Sequence, residues 1–201
     1  MKFKLINLVS LLAFAITLSA CGPSATPTIA SMATEPPHEH EEDSHQGDID
    51  GSEIEGVQIY PDKAEYHKHV DTVPTPEGNL PPVFGEHYKV WQNCGIYDQP
   101  VDVGNALHSM EHGAVWIAYQ PDLAEDQVSA LRDLARGHDF VLMTPYEGLT
   151  NDVVLTAWGV QLEIPSMPDD RVEKFIAYYE LGPQNPEPGA PCSGALGTPI
   201  E

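Results

Sequence analysis

The chain has 201 residues, of which 31 are acidic and only nine are lysine or arginine, so its formal net charge is −22. A surface of this charge repels the phosphates of nucleic acids and of anionic lipid headgroups, which argues against a nucleic-acid partner. The same charge attracts metal cations without selecting among them.

The first 20 residues have the pattern of an export signal. Two lysines lie within the first four residues, and residues 5–18 form an apolar stretch that is too short for an ordinary membrane-spanning helix. The stretch leads into the sequence Leu-Ser-Ala-Cys at residues 18–21, which resembles the bacterial lipobox. The resemblance implies a lipoprotein signal peptide over residues 1–20 and lipid attachment at Cys21, which would anchor the protein to the cell membrane outside the cytoplasm. The alternative is a plain secretory signal with an incidental cysteine.

Residues 21–55 are predicted to be an acidic, disordered linker. Gly, Pro, Ser, Thr and Ala dominate its first part, acidic residues dominate the rest, and no apolar periodicity is present from which a core could form. His38, His40 and His45 lie among these acidic residues and could chelate a metal ion loosely. Alternatively the segment is only a solvated spacer, because a disordered site loses ordering entropy when it binds.

Residues 56–194 are predicted to form a single globular domain, which a short tail over residues 195–201 follows. The predicted elements, in chain order, are a short strand at 57–60, an irregular segment rich in Pro, Gly and His at 61–113, a strand at 114–119, a helix at 121–136, strands at 140–143 and 153–164, and a helix at 168–181. This order predicts an α+β fold in which a small, mostly antiparallel sheet carries two main helices on one face. The long irregular segment is expected to be structured, and such loops are often functional.

The irregular segment ends in a short predicted helix that contains two histidines. Asn105 is the predicted N-cap of this helix, and Gly113 is its predicted stop. His108 and His112 are four residues apart, so their imidazoles project from one face and form half of a transition-metal site. The alternative is that both histidines are structural. Glu111 precedes the second histidine instead of following the first, so the segment does not match the His-Glu-x-x-His motif of zinc hydrolases.

Three further residues are candidates to complete this site. His87 follows a turn rich in proline and glycine, and His69 lies further upstream in the same irregular segment. Met143 ends a predicted strand, and a thioether beside imidazoles is a ligand set that suits copper, particularly Cu(I). The predicted ion is therefore copper, with zinc as the alternative. Against this interpretation, loop histidines are often only solvated, and a methionine in a strand is often an ordinary core residue.

The chain has three cysteines. If Cys21 carries lipid, Cys94 and Cys192 remain as a pair, and outside the cytoplasm a pair of cysteines most simply forms a disulfide. Such a bond would tie the Pro- and Gly-rich tail around Cys192 to the domain. The competing interpretation is that one or both thiolates bind the metal ion.

Segments spread over residues 56–194 together resemble a bacterial family designated domain-of-unknown-function family 3105, whose members are often exported or membrane-attached. The segments that carry the resemblance are His69-Val70, Pro81-Pro82 with Gly85 and His87, Trp91-Gln92-Asn93-Cys94-Gly95-Ile96-Tyr97, Ala106 with the run from His108 to Val115, Met143 with Pro145-Tyr146, Leu155-Thr156-Ala157-Trp158-Gly159, and Pro188-Gly189-Ala190-Pro191-Cys192. The resemblance implies no activity, because none is attached to the family. It does imply that the histidine segment and the two cysteines belong to one shared structural unit, and that the acidic linker lies outside it.

The leading functional hypothesis is an extracytoplasmic, lipid-anchored metal-binding protein that stores or delivers copper or serves as an accessory to a membrane protein complex. An alternative is a structural or assembly subunit of a membrane electron-transport complex that binds no metal ion. A third hypothesis is a metal-dependent hydrolase in which Glu86 or Glu111 acts as the general base. No catalytic residue is assigned, because the chain contains no nucleophile elbow, phosphate-binding glycine loop or dinucleotide fingerprint.

Overall fold

The structure of the protein is a computed structural model that describes residues 53–201. The predicted signal peptide, Cys21 and nearly all of the predicted linker, including its three histidines, lie outside the described residues. Over residues 53–201, no helix combines the length and the apolar character that are needed to cross a bilayer.

Helices and strands alternate along most of the described chain. The strands are β1 (Gln58–Ile59), β2 (Gly95–Ile96), β3 (Val115–Tyr119), β4 (Val141–Pro145), β5 (Val153–Ala157) and β6 (Val160–Ile164). The α-helices are α1 (Val103–Glu111), α2 (Glu125–Ala135) and α3 (Arg171–Tyr179), and a 3-10 helix covers Ala64–His67. Every residue of β3, β4 and β5 is buried, so these central strands are covered on both faces.

The strands form one mixed sheet in the order β1-β6-β5-β3-β4-β2. β4 pairs in parallel with both β3 and β2, whereas the β3–β5, β5–β6 and β1–β6 pairs are antiparallel. The prediction of a mostly antiparallel sheet with two main helices on one face is therefore wrong. The parallel pairs arise because α2 carries the chain back across the sheet between β3 and β4. They also arise because the irregular segment contributes β2, which at two residues is too short to show a periodic pattern.

The three helices cover both faces of the sheet. Inward-facing residues of α2 and α3, among them Leu131 and Phe175, pack in one apolar cluster with Ile117 of the sheet. The next residue along a strand points to the opposite face, and there Trp116 packs in a second cluster with Met110 of α1. α1 and the irregular segment therefore form a layer of their own on this second face.

α1 is capped by residues that only partly match the prediction. Its N-cap is Asp102, whose side chain accepts a hydrogen bond from the Gly104 amide at 2.9 Å. The predicted cap at Asn105 is wrong, because Asn105 lies inside the helix and donates from Nδ2 to the Val90 carbonyl at 2.5 Å. Gly113 follows the C-cap residue with a φ of +116°, which confirms the predicted stop of the helix.

Cys94 and Cys192 form a disulfide. The bond confirms the predicted pairing and removes both sulfurs from the candidate metal ligands. It links positions 98 residues apart in sequence. Closing a loop of this length stabilises a folded protein by about 4–5 kcal/mol in the chain-entropy model.

Replacement of Leu131 by alanine tests the core under α2. The Leu131 side chain is fully buried, so Leu131→Ala should lower the free energy of unfolding by about 2–5 kcal/mol through lost burial and the cavity left behind. Chemical denaturation followed by circular dichroism measures this change. Leu196→Ala is the matched control, because Leu196 is 46% exposed and its truncation should cost less than about 0.5 kcal/mol. Equal losses in the two variants would contradict the assignment of the core.

Candidate metal centre

Three histidines from separate parts of the chain converge beside α1. His69, His87 and His108 each offer one ring nitrogen, and the three nitrogens lie within 4.8 Å of one another. His87 and His108 are buried, whereas His69 is exposed at the rim. All three are among the ligands that the sequence predicts, and the structure brings these three together.

A short backbone bridge holds His69 and His87 side by side. The Val70 amide donates a hydrogen bond to the His87 carbonyl at 2.9 Å, and the His87 amide donates to the Lys68 carbonyl at 3.0 Å. The two imidazole rings meet edge to face with 4.9 Å between their centroids. The indole of Trp158 packs edge to face against the His87 ring, with 5.8 Å between the ring centroids, and this contact keeps the His87 ring away from solvent.

Backbone carbonyls orient the two buried histidines. His87 Nδ1 lies 2.8 Å from the Gly85 carbonyl oxygen, and His108 Nδ1 lies 2.6 Å from the Tyr88 carbonyl oxygen. Because a carbonyl oxygen only accepts, each Nδ1 carries a proton and the lone pair of the neutral ring is on Nε2. Metal-binding histidines are commonly oriented in this way, with the outer nitrogen donating to a carbonyl.

Glu111 brings a buried carboxylate into the cluster. Its Oε2 atom lies 2.9 Å from His87 Nε2 and 4.0 Å from His69 Nε2, and its Oε1 atom lies 3.8 Å from His67 Nδ1. The angle at His87 Nε2 is nevertheless not that of a hydrogen bond, so this buried nitrogen has no hydrogen-bond partner among residues 53–201. A buried polar atom without a partner is costly, and a metal ion bound at Nε2 would remove that cost.

The surroundings of the cluster determine its charge. Burial, aided by the neighbouring imidazoles, lowers the pKa of His108 to about 4. Burial also acts to lower the pKa of His87, but its contacts with Glu111 and with the Gly85 carbonyl outweigh burial and raise that pKa. For Glu111, burial acts to raise the pKa, and the contact with His87 outweighs burial and lowers it. At neutral pH the cluster therefore offers the His108 lone pair and one negative charge to a cation.

His112, which the sequence pairs with His108 as a ligand, lies outside the group of three. The centroid of its ring is 4.5 Å from the centroid of the His108 ring, but its Nδ1 atom donates a hydrogen bond to the Pro191 carbonyl at 2.7 Å. Its Nε2 atom lies 3.8 Å from a carboxylate oxygen of Glu187. One further turn of α1 therefore places this histidine against the C-terminal tail, so the predicted helix pair is replaced by one candidate ligand on the helix and two on loops.

Met143 is not near the histidines, and its prediction as a soft fourth ligand is wrong. It packs with Val115 and Ile117 in the apolar cluster that faces α2 and α3. Its neighbour Leu142 points to the other face, toward α1. Because successive residues of a strand alternate between faces, the sheet separates the Met143 thioether from the site.

Sequence reasoning missed the part that Glu111 plays in the cluster. The sequence raises Glu111 only as a possible general base, and its position does not fit the zinc-hydrolase motif. It nevertheless follows His108 by three residues on α1, and residues at this spacing are neighbours on one helical face. This three-residue spacing is the feature of the sequence that indicates a contact between Glu111 and the histidine site. His67, which lies beside His69 in sequence and is a further histidine that could complete the site, is the other residue that approaches Glu111.

The low pKa of His108 predicts how the stability of the metal-free protein depends on pH. A histidine in the unfolded chain has a pKa near 6.5, whereas in the folded protein the pKa is about 4. Between these values the unfolded state binds more protons, so the free energy of unfolding should rise with pH by up to about 3 kcal/mol through this group. His108→Gln should flatten this rise, and denaturation at a series of pH values with a chelator present measures it. Parallel profiles for wild type and variant would contradict the assignment.

Comparison with known proteins identifies the family. The sequence model of the family described as "Protein of unknown function (DUF3105)" matches residues 74–194, which include His87, His108, Glu111 and both disulfide cysteines. No curated protein and no solved structure matches the chain. The matched range covers more than half of the chain, and the protein therefore belongs to the DUF3105 family.

Proposed function

We propose that the protein binds one transition-metal ion through His69, His87 and His108, and that it does so outside the cytoplasm, anchored to the membrane by lipid at Cys21. The observation that carries the proposal is the convergence of three ring nitrogens within 4.8 Å of one another. The carbonyls at Nδ1 of the two buried histidines support it, because they direct Nε2 to the ion. The carboxylate of Glu111 supports it as well, because it adds a negative charge that is 2.9 Å from one ligand.

The site needs to close slightly around the ion. Bonds from zinc to imidazole nitrogens are about 2.0–2.1 Å, which places the nitrogens of a tetrahedral site roughly 3.3 Å apart. His69 is the ligand that can move, since its side chain is 41% exposed, whereas backbone hydrogen bonds hold His87 and His108. A rotation of the His69 side chain toward the two buried rings therefore completes the site at little cost.

The donor set favours a divalent ion. Cu(I) favours a soft thioether ligand, and the Met143 thioether lies on the other face of the sheet. Imidazole nitrogens with a nearby carboxylate suit Cu²⁺ and Zn²⁺, and a given nitrogen and oxygen site binds Cu²⁺ more tightly than Zn²⁺. We therefore keep copper as the proposed ion, in its divalent state, with zinc as the alternative.

The proposed location has two sources of support. The lipobox-like sequence at residues 18–21 favours export and a lipid anchor. The disulfide is typical of a protein that folds in an oxidising compartment, because cytoplasmic thiols are kept reduced. A tethered protein with an accessible histidine at the rim of its site suits the storage or delivery of an ion, or an accessory role in a membrane complex.

Histidine substitutions test the ligand set. The mature chain is prepared with His38, His40 and His45 replaced by alanine, so that the linker does not bind metal. Titration with Cu²⁺, and in parallel with Zn²⁺, against a chromophoric chelator should give one tight site per chain. His87→Ala should weaken that site by more than the 10–100-fold that loss of an outer partner typically costs. His112→Ala should weaken it by about tenfold or less.

The matched control is His138→Ala. The Nδ1 atom of His138 lies 2.6 Å from a carboxylate oxygen of Glu180, at the end of α3, so its removal should leave metal affinity unchanged. Undiminished affinity in both His87→Ala and His108→Ala would reject the site. A metal-free protein that co-purifies with a membrane complex would instead support the structural-subunit alternative.

Glu111→Gln tests the carboxylate separately from the imidazoles. The substitution keeps the size of the side chain but removes the charge that lies 2.9 Å from His87 Nε2, so metal affinity should fall by about tenfold or more. The same chelator competition measures it. Glu173→Gln is the control, because Glu173 lies on α3 and α3 packs on the other face of the sheet. Equal affinities of the Glu111 variant and wild type would show that the carboxylate does not support the ion.

A further inference from the structure

Two segments of the chain, residues 85–94 and 187–192, both hydrogen-bond to α1 and together form a clamp on it. The first segment supplies the ligand His87. It also orients the second buried ligand, because His108 Nδ1 donates a hydrogen bond to the Tyr88 carbonyl at 2.6 Å. The position of this segment therefore sets the distance between two of the three ligand nitrogens.

The second segment caps the C-terminal end of α1, next to the cluster. The Glu187 amide donates to the Glu111 carbonyl at 3.0 Å, and the Gly189 amide donates to the His112 carbonyl at 3.0 Å. His112 Nδ1 donates in turn to the Pro191 carbonyl at 2.7 Å. These hydrogen bonds satisfy carbonyl groups that the end of a helix leaves open, so the segment fixes the last turn of α1.

The disulfide joins the two segments. Cys94 is the last residue of the first segment and Cys192 is the last residue of the second, and the Cys94 amide also donates to the Cys192 carbonyl at 2.7 Å. The covalent bond therefore closes the clamp around the helix on which His108 and Glu111 lie. Without it, both segments keep their hydrogen bonds to α1, and the link between the segments is reduced to hydrogen bonds such as that from the Cys94 amide to the Cys192 carbonyl.

A pocket gives access to this bond. Cys94 and Cys192 both line an open pocket of about 580 Å³, together with Gly95, Pro191 and Ser193. Clefts of this volume admit small organic molecules. A small dithiol can therefore approach the disulfide of the folded protein.

We propose that the Cys94–Cys192 disulfide is a redox control on the metal site: a dithiol that enters the pocket reduces it, the clamp loosens, and the affinity for the metal ion falls. The proposal rests on the proposed function of the histidine cluster. In the reaction the dithiol gives up two electrons and two protons. Its thiolate attacks one sulfur to form a mixed disulfide, and its second thiol then closes a cyclic disulfide. Cys94 and Cys192 are left as free thiols.

The experiment compares zinc affinity with the bond intact and open, in the chain that lacks the three linker histidines. The folded, metal-free protein is treated with dithiothreitol without denaturant, its thiols are blocked with iodoacetamide, and the reagents are removed. The Cys94→Ala/Cys192→Ala variant is measured in parallel after the same iodoacetamide treatment, which blocks any free thiol at Cys21, because it lacks both thiols that reduction of the disulfide exposes. The control is oxidised protein treated with iodoacetamide alone. Circular dichroism follows the fold, and hydrogen exchange follows the amides of α1.

We expect the reduced and variant forms to remain folded and to exchange the amide hydrogens at the end of α1 faster than the control. Their affinity for zinc should be lower by about tenfold or more, as when a group that orients a metal ligand is lost. Equal zinc affinity of open and oxidised forms would overturn the proposal. So would a disulfide that resists dithiothreitol until the protein is denatured, or open forms that unfold, since a control needs two folded states. If the oxidised control itself binds no zinc, the proposed function fails, and unchanged exchange in α1 would then reject the clamp as well.

Discussion

The burial of polar side chains on one short helix is the constraint on which the rest of this structure depends. α1 has nine residues, and Asn105, His108, Ser109 and Glu111 are all buried on it. Buried polar groups need partners, and the partners of the first three come from outside the helix. Their side chains donate to backbone carbonyls of the irregular segment that precedes α1. Side chains of the helix thus supply hydrogen-bond donors to the carbonyls of residues 88–92 in this segment, and the segment covers the helix.

Glu111 is the exception, and the exception forms the site. Its carboxylate is as buried as its neighbours but faces the histidines instead of the backbone. Burial of a charge is unfavourable unless that charge is paired, and in the metal-free protein the nearest group, His87 Nε2 at 2.9 Å, makes no hydrogen bond to it. A divalent ion bound to the same imidazoles would compensate the carboxylate more completely. The cluster therefore contains a buried carboxylate and a buried ring nitrogen that do not hydrogen-bond to each other, which is typical of a binding site rather than of a core.

The layered fold explains why the cluster is rigid on two sides and open on the third. The sheet and Trp158 lie behind His87, and the disulfide-linked segments hold both ends of α1. His69 alone is exposed, and its partner across the short bridge is itself buried. In the proposed metal site two ligands would be held in place and the third could adjust, which would permit an ion to enter and leave without opening of the core.

Local sequence was enough to predict the chemistry of the candidate ligands and several local structural features. Helical spacing singled out His108 and His112, and residue type added His69, His87 and Met143. The exclusion of Cys21 paired Cys94 with Cys192, and the glycine after α1 marked the end of that helix. These conclusions need only residue identity or neighbours within a few positions. Helical and strand periods likewise predicted α2, α3, β3 and β4, whereas the single strand predicted over residues 153–164 is wrong, because the chain turns back at Gly159 to form the antiparallel pair β5 and β6.

Which of the candidate ligands lie close together depends on the packing of the folded chain. A period tells which residues of one element share a face, but it carries no information about what the face packs against. Met143 thus turned out to face α2 and α3, and His112 the C-terminal tail, while Glu111 met His87. The parallel pairing of β4 with β3 and β2 likewise could not be predicted from local sequence patterns, because it depends on contacts between residues distant in sequence. Long-range packing, and not local pattern, brought three imidazoles and one carboxylate to the same point.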